Sequence, residues 1–457
     1  MSDAAEKESP GPLTCAKCGC SSTLRSQFVR GRDGTVARTW CPPCAARRRD
    51  RLASFGLGCC VLALPLAWAL SARHPHDPVL AFVVGLYAYY LSSYFMTYLH
   101  EFGHALAARL VGFSTLAIKV GTGPTLLDRY VLGVRLQFGL TPGGGATLLE
   151  LRDVEGFRWR MVAVLAAGSL VNLGAAIVAL SRVTGGEESS PVRAALVGFA
   201  VGNLVHAVAS VWPRRVRTPH GLIASDGAQI LARLAGKPVD LRAHAAFVQW
   251  YRANFAYADR DHGGALRALA QMVSLTDDTN MGVLAATLRA EALSESGEAR
   301  AAIDSLAAWR SRTGLPQEAR LALDSAYAWA AFLCDEPLLA RDGLQYVKGC
   351  ASLMPWSEVL RIKNICLLSA FPTDCTAVQE ARRLADSLRE LRLEGESRAY
   401  AALARGMVAA AERNRDLASA ELANARRLRA SPAALAVLER RLQDGAVQDG
   451  AGACIPA

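Results

Sequence analysis

Four stretches of about 20 uncharged, mostly apolar residues restrict this chain more than any other feature. They are residues 52–72, with the core FGLGCCVLALPLAWAL; the run from Val79, VLAFVVGLYAYYLSSYFMTYL; Met161 to Leu180, MVAVLAAGSLVNLGAAIVAL; and Ala194 to Trp212, AALVGFAVGNLVHAVASVW. A helix of that length rises about 30 Å, enough to cross the hydrocarbon core of a bilayer with every backbone group paired internally. The expected fold is therefore mainly α, a polytopic helical membrane protein with about four spans.

Composition fits this reading. Hydrophobic residues make up 52% of the 457, yet aromatics only 7%, so the excess is Ala, Leu and Val. With charged residues at only 20%, a long disordered chain is excluded. The first span lies behind a Cys-rich module and is not a signal peptide. Arg47, Arg48, Arg49 and Arg51 precede the first span, and Arg214, Arg215 and Arg217 follow the fourth. The intervening loops at 73–78 and 183–192 are poor in Lys and Arg, so the positive-inside rule puts both termini in the cytoplasm. The net charge of +10 is then a topology signal, and no nucleic-acid partner is expected.

At the N-terminus, Cys15 and Cys18 form one C-x2-C knuckle and Cys41 and Cys44 another, with 22 residues between them. Such paired thiolates predict a structural zinc ribbon, the ion closing a domain too small to bury its own core. Cys20 offers an alternative to Cys18. The other cysteines have no paired spacing and read as ordinary buried thiols.

The chemical centre is His100-Glu101-Phe102-Gly103-His104, at the end of the second span. On a helix, histidines four residues apart share a face and can hold one zinc ion, with Glu101 beside it to take a proton from an activated water. Three ionisable groups next to 21 apolar or uncharged residues are costly in a membrane and usually functional. Zinc needs a third protein donor, for which Asp226, His206, His220, Glu150, Asp153 and Glu155 are candidates. Asp226 is preferred because Ser225-Asp226-Gly227 follows the last span and opens a helical stretch; His206, inside the fourth span, is the main rival.

Over residues 79–235 the chain resembles the site-2 protease family of intramembrane zinc metalloproteases. HEFGHALAARLVG is similar to that family's H-E-x-G-H helix. VGTGPTLLDRYVLGVRLQFGLTPGGGATLL is similar to its hairpin segment, AAGSLVNL to its G-P-x-x-N with Ser169 in place of proline, and NLVHAVASVWP with SDG to its closing motifs. The resemblance implies that His100, His104 and Asp226 bind a catalytic zinc, that Glu101 activates water, and that Asn172 and Asn203 contact substrate. It implies a membrane-spanning protein substrate, regulated signalling and a place in the bacterial plasma (inner) membrane. The stretch RRVRTPH makes the gap between Asn203 and Asp226 longer than in compact members. Buried asparagines equally serve to tie spans together.

Val134, Leu136, Phe138 and Leu140 alternate with Gly133, Arg135, Gln137 and Gly139, predicting a membrane-associated β-hairpin. An exposed edge there could pair with an unwound substrate segment; the alternative is a plain amphipathic hairpin capping the bundle. From Pro238 the chain turns Ala-, Leu- and Arg-rich. Ala265, Ala302, Ala340 and Ala377 recur at 37 or 38 residues, resembling a degenerate tetratricopeptide-like array of helix pairs with a concave surface for a protein partner; a helical bundle is the alternative. The expected domains are a tail (1–14), a zinc ribbon (15–50), a transmembrane core (51–235), a helical repeat-like domain (236–445) and a tail (446–457). A competing function is a membrane-anchored scaffold with an inert metal core, working through its ribbon and helices.

Overall fold

A computed structural model describes residues 13–14, 21–22, 29–33, 36–40, 63, 65–70, 73–74, 77–151, 155–185, 190–218, 221–275, 279–349, 358–372, 375–389 and 395–444. The chain divides into two units, residues 46–248 and residues 1–45 with 249–457.

In the first unit, helix α1 (Pro78–Leu110) holds the second predicted span and H-E-x-x-H in one continuous element of 33 residues. Asp77 caps it, accepting from Val79 N at 2.8 Å and Leu80 N at 3.2 Å, with Pro78 at the first position where no N–H is needed. At the other end Gly112 takes φ +86°, and Phe113 N donates to Ala108 O at 2.8 Å in a Schellman turn. Helices α2 (Phe157–Gly185) and α3 (Ser190–Val211) follow the intervening strands. α1, α2 and α3 are each long and apolar enough to cross a membrane. Most of the first predicted span lies outside the described residues; its described part, 63 and 65–70, is helical.

These three helices pack closely because small residues sit where they meet. A Cβ on Gly103 would lie 3.0 Å from Ala167 O, and one on Gly202 would lie 2.9 Å from Ser92 Oγ. Without lipid-excluding drive between apolar surfaces, such close contact is what joins membrane helices. Their outer faces expose Phe82, Phe95, Leu106, Ile177 and Val178, whereas His100, Glu101, His104, Asn172 and Asn203 are buried.

Between α1 and α2 run β5 (Ser114–Val131) and β6 (Val134–Glu150). Sequence alternation predicts a simple hairpin; the register is richer, because both strands bend. Residues 125–131 pair antiparallel with 134–139, and 114–120 pair antiparallel with 145–150. The pairs Ala117–Arg135, Ile118–Leu136, Lys119–Gln137 and Val120–Phe138 join the two halves side by side. The spatial order is therefore 125–131, 134–140, 114–121, 145–150. Arg135, expected on the polar face, is buried, with Nε and Nη2 donating to Asp128 at 2.7 and 2.9 Å.

A short hairpin, β7 (Arg215–Thr218) and β8 (Gly221–Ala224), absorbs the extra residues after α3 and leads into α4 (Asp226–Leu234). Helix α5 (Leu241–Ala258) crosses the boundary between the units.

The second unit contains, among its described residues, helices α6 (His262–Leu275), α7 (Thr279–Glu295), α8 (Ala299–Arg310), α9 (Gln317–Leu333) and α10 (Pro337–Gly349). They continue as α11 (Glu358–Ala370), α12 (Cys375–Arg389), α13 (Gly395–Ala411), α14 (Arg415–Arg427) and α15 (Pro432–Asp444). Ala265, Ala302, Ala340 and Ala377 fall in α6, α8, α10 and α12, with exposures of 0, 0, 0 and 4%. The turn before α6, α8, α10 and α14 has one form. Arg260, Gly297, Asp335 and Arg413 take positive φ, and Asp261, Glu298, Glu336 and Asn414 donate five residues back at 2.8–2.9 Å.

Alternate helices touch: α7 meets α9, α9 meets α11, and α11 meets α13. Within α9 Trp329 stacks on Phe332 at 4.9 Å; α7 is also tied to α11, where Lys363 Nζ pairs with Glu291 at 2.7 Å, and to α13, where Tyr400 donates to Glu295. α15 packs against α7, α9, α13 and α14.

The four short strands β1 (Leu13–Thr14), β2 (Ser21–Ser22), β3 (Val29–Asp33) and β4 (Val36–Trp40) form two antiparallel pairs. Cys15, Cys18, Cys20, Cys41 and Cys44 lie outside the described residues.

Candidate metal centre

The site is built on the last third of α1. His100 and His104 sit one turn apart, and their Nε2 atoms are 3.0 Å from each other. Asp226 Oδ2 lies 3.0 Å from His100 Nε2 and 3.3 Å from His104 Nε2. Among the described residues these three are the group whose ligand atoms converge, all within 4.8 Å of one another. Tetrahedral donors about 2.1 Å from an ion stand about 3.4 Å apart, so the spacing suits one small cation.

Proton bookkeeping gives the same answer. His104 Nδ1 is 2.7 Å from Val164 O and donates to it, which leaves a lone pair on the Nε2 that faces the cluster. Lone pairs from His104 and a carboxylate pointed at one another repel unless a cation lies between them. The donor set, two imidazoles and one carboxylate, is one that zinc accepts in hydrolytic sites.

Local sequence explains how Asp226 arrives from 126 residues away. Ser225 caps α4: its Oγ accepts from Arg214 N at 3.0 Å and Ala228 N at 3.3 Å, and donates to Trp212 O at 2.8 Å. The neighbouring Gly227 is buried, and a Cβ there would overlap Val211 O. Serine ties the start of α4 to the end of α3, and glycine lets them touch. As a ligand motif only the aspartate of this tripeptide stands out; the N-cap preference for serine is the sequence signal for its neighbour. Gly168 on α2 is a second contributor missed from sequence. A Cβ there would stand 2.7 Å from His104 Nε2 and 2.8 Å from His100 Cε1.

Glu101 is buried beside the trio, and Thr147 Oγ1 donates to its Oε2 at 2.7 Å. The rival His206 stands edge-on to His100, with ring centroids 5.2 Å apart, outside the converging trio. Glu150 pairs with Ser114 at the end of the sheet, Glu155 is exposed in the turn before α2, and Asp153 and His220 lie outside the described residues. Asn172 is fully buried with neither amide atom partnered, and Asn203 donates to Phe199 O at 3.0 Å with its own oxygen unpartnered. Buried amide atoms in that condition are costly and point to a water or a ligand group as partner.

Two histidines and an aspartate thus converge with a glutamate alongside; His100, Glu101 and His104 lie on a helix long and apolar enough to cross a membrane, and Asp226 opens the short α4. Part of the chain is similar to known proteins. Residues 88–186, which include His100, Glu101, His104, the sheet and Asn172 but stop short of Asn203 and Asp226, match Peptidase family M50. A protein of Chlamydia trachomatis serovar D named "Putative zinc metalloprotease" is 34% identical over 104 residues, 18% of this chain and 17% of that protein. A protein of the same description from Chlamydia pneumoniae is 28% identical over 106 residues, with the same shares. The matched stretch thus spans less than a fifth of either relative.

Proposed function

We propose that this chain is an intramembrane zinc metalloprotease of the site-2 protease type. The observation that carries the reading is the meeting of His100, His104 and Asp226 beside Glu101 on a spanning helix. The two histidines and the aspartate hold a catalytic zinc. When bound, zinc supplies Lewis-acid polarisation of the scissile carbonyl and acidifies water. Glu101 takes the proton from the attacking water and delivers it to the leaving amide nitrogen. His104 is held for this by Val164 O, and the surrounding apolar helices exclude bulk water.

A helical peptide bond is internally hydrogen-bonded and must be opened before attack. An edge segment of the sheet, 145–150, lies beside Glu101 and can hold the opened substrate as an added strand, with Asn172 and Asn203 as polar contacts. Four spans with both termini in the cytoplasm place the metal toward the cytoplasmic face of a bacterial plasma membrane. Cleavage there releases a cytoplasmic domain in regulated signalling. The Cys15, Cys18, Cys41, Cys44 ribbon holds a second, structural zinc, and the helical unit selects or gates substrate.

Glu101→Gln tests the mechanism: it should keep zinc and abolish cleavage of a co-expressed reporter with a membrane-spanning helix. Undiminished cleavage would remove it. An inert scaffold instead predicts that His100→Ala leaves the zinc content unchanged.

A further inference from the structure

Glu101 is held from one side by the sheet. Thr147 Oγ1 is 2.7 Å from Glu101 Oε2 and 3.0 Å from the Glu101 carbonyl oxygen. A hydroxyl has one proton to give, and the charge-assisted bond to the carboxylate is the stronger use of it. Among the described residues it is the one hydrogen bond made to this carboxylate. Two positions earlier on the same strand, and so on the same face, is Gly145. Any Cβ at Gly145 would overlap the Glu101 carboxylate. One strand face thus supplies both a donor for one carboxylate oxygen and the space for the other.

A glutamate side chain has three rotatable bonds, and a proton acceptor works only when its oxygen is within hydrogen-bond reach of the proton it takes. We infer that Thr147 is the positioning residue of Glu101. Its hydroxyl donates to Oε2 and keeps that proton throughout. Oε1, in the space left by Gly145, takes the proton of the attacking water and passes it to the departing amine. Because Thr147 belongs to edge segment 145–150, the alignment of Glu101 depends on that strand being in place. The inference rests on the proteolytic reading above.

The test uses the purified full-length protein in detergent, with fluorescein-labelled casein as an unfolded polypeptide probe. Thr147→Val keeps the shape and removes the hydroxyl; Thr147→Ser keeps the hydroxyl. Expected is a fall in kcat of about 10–100-fold for Thr147→Val, the usual cost of removing a partner that orients a reacting group. KM and zinc per chain should stay at wild-type values, and Thr147→Ser should recover most of the loss. Gly145→Ala should also lower kcat, approaching the carboxylate from its other oxygen. Should Thr147→Val fail to accumulate, Thr147→Ala makes the same comparison. Wild-type kcat in the variant lacking the hydroxyl overturns the assignment, and so does an equal loss in Thr147→Ser or a loss that follows zinc content. A wild type no faster than Glu101→Gln overturns the proteolytic reading and this assignment together; a cleaving wild type matched by Thr147→Val overturns this assignment alone.

Discussion

The two units of this chain have opposite polarity. In residues 46–248, Phe82, Phe95, Leu106 and Ile177 face outward while His100, Glu101, His104, Asn172 and Asn203 are buried. In residues 249–457, Trp329, Phe332, Leu367 and Leu403 are buried, and most buried positions around them are apolar. Both units pack helices through small residues, yet to different ends. Glycines in the first let backbones and imidazoles approach within van der Waals range, whereas alanines in the second fill the contact and add apolar burial. The difference teaches that solvent decides which side of a helix carries information. In lipid an apolar exterior costs nothing and the polar interior is where chemistry concentrates; in water the interior mainly supplies stability.

If that contrast holds, damage to the first unit should alter metal content and activity, while damage to the second should alter melting. The largest effect should come from His100→Ala or Asp226→Ala, which remove one zinc per chain and all cleavage, measured by metal analysis beside the reporter assay. Unchanged zinc content would break the comparison at its centre. Next is Gly168→Val, whose added carbons must displace His104 and His100. Zinc affinity should fall by at least about tenfold, as for other changes that disturb ligand orientation.

In the second unit, Trp329→Ala should destabilise by about 3–5 kcal/mol, seen as a lower Tm, with zinc content unchanged. A zinc loss in that variant would show that the two units do not divide the labour in this way. The smallest effect concerns Asp128. The bond from Arg135 lowers its carboxyl below the usual range, against a smaller opposing effect of burial. A depressed value means a contribution present above about pH 4 and lost as pH falls through the depressed value. Asp128→Asn, which can still accept one bond from Arg135, should therefore lower Tm less than Trp329→Ala does near neutrality, and the gap to wild type should close in acid.

Much of the first unit was legible because membrane spans and H-E-x-x-H are local patterns. Length and apolarity mark α1, α2 and α3, and four-residue spacing puts His100 and His104 on one face. Asp226 was legible in part, as a candidate beside His206, since its choice depends on where α4 begins. The sheet was legible only as alternation: period two says which residues share a face and nothing about which strand lies next to which. Arg135 illustrates this, being polar by pattern and buried in fact: it faces Tyr130 in the register, and Asp128, opposite Gln137, reaches it diagonally. In the second unit, recurrence of alanine marked the helices, while the contacts of α15 with α7 and α9 join residues too distant for any period to relate.

By itself, then, the amino-acid order determined that there would be helices long and apolar enough to cross a bilayer, that one would bear paired imidazoles and a glutamate, and that an alanine-rich helical region would follow. These depend on residue type and spacing along one element, where neighbours are set by the 3.6-residue turn. Only the tertiary structure decided that Asp226 and not His206 completes the trio, that Gly168 makes room for the imidazoles, and that Thr147 and Gly145 bracket Glu101. Each of these is a contact between distant segments, chosen by steric fit and by the need to pair buried polar atoms.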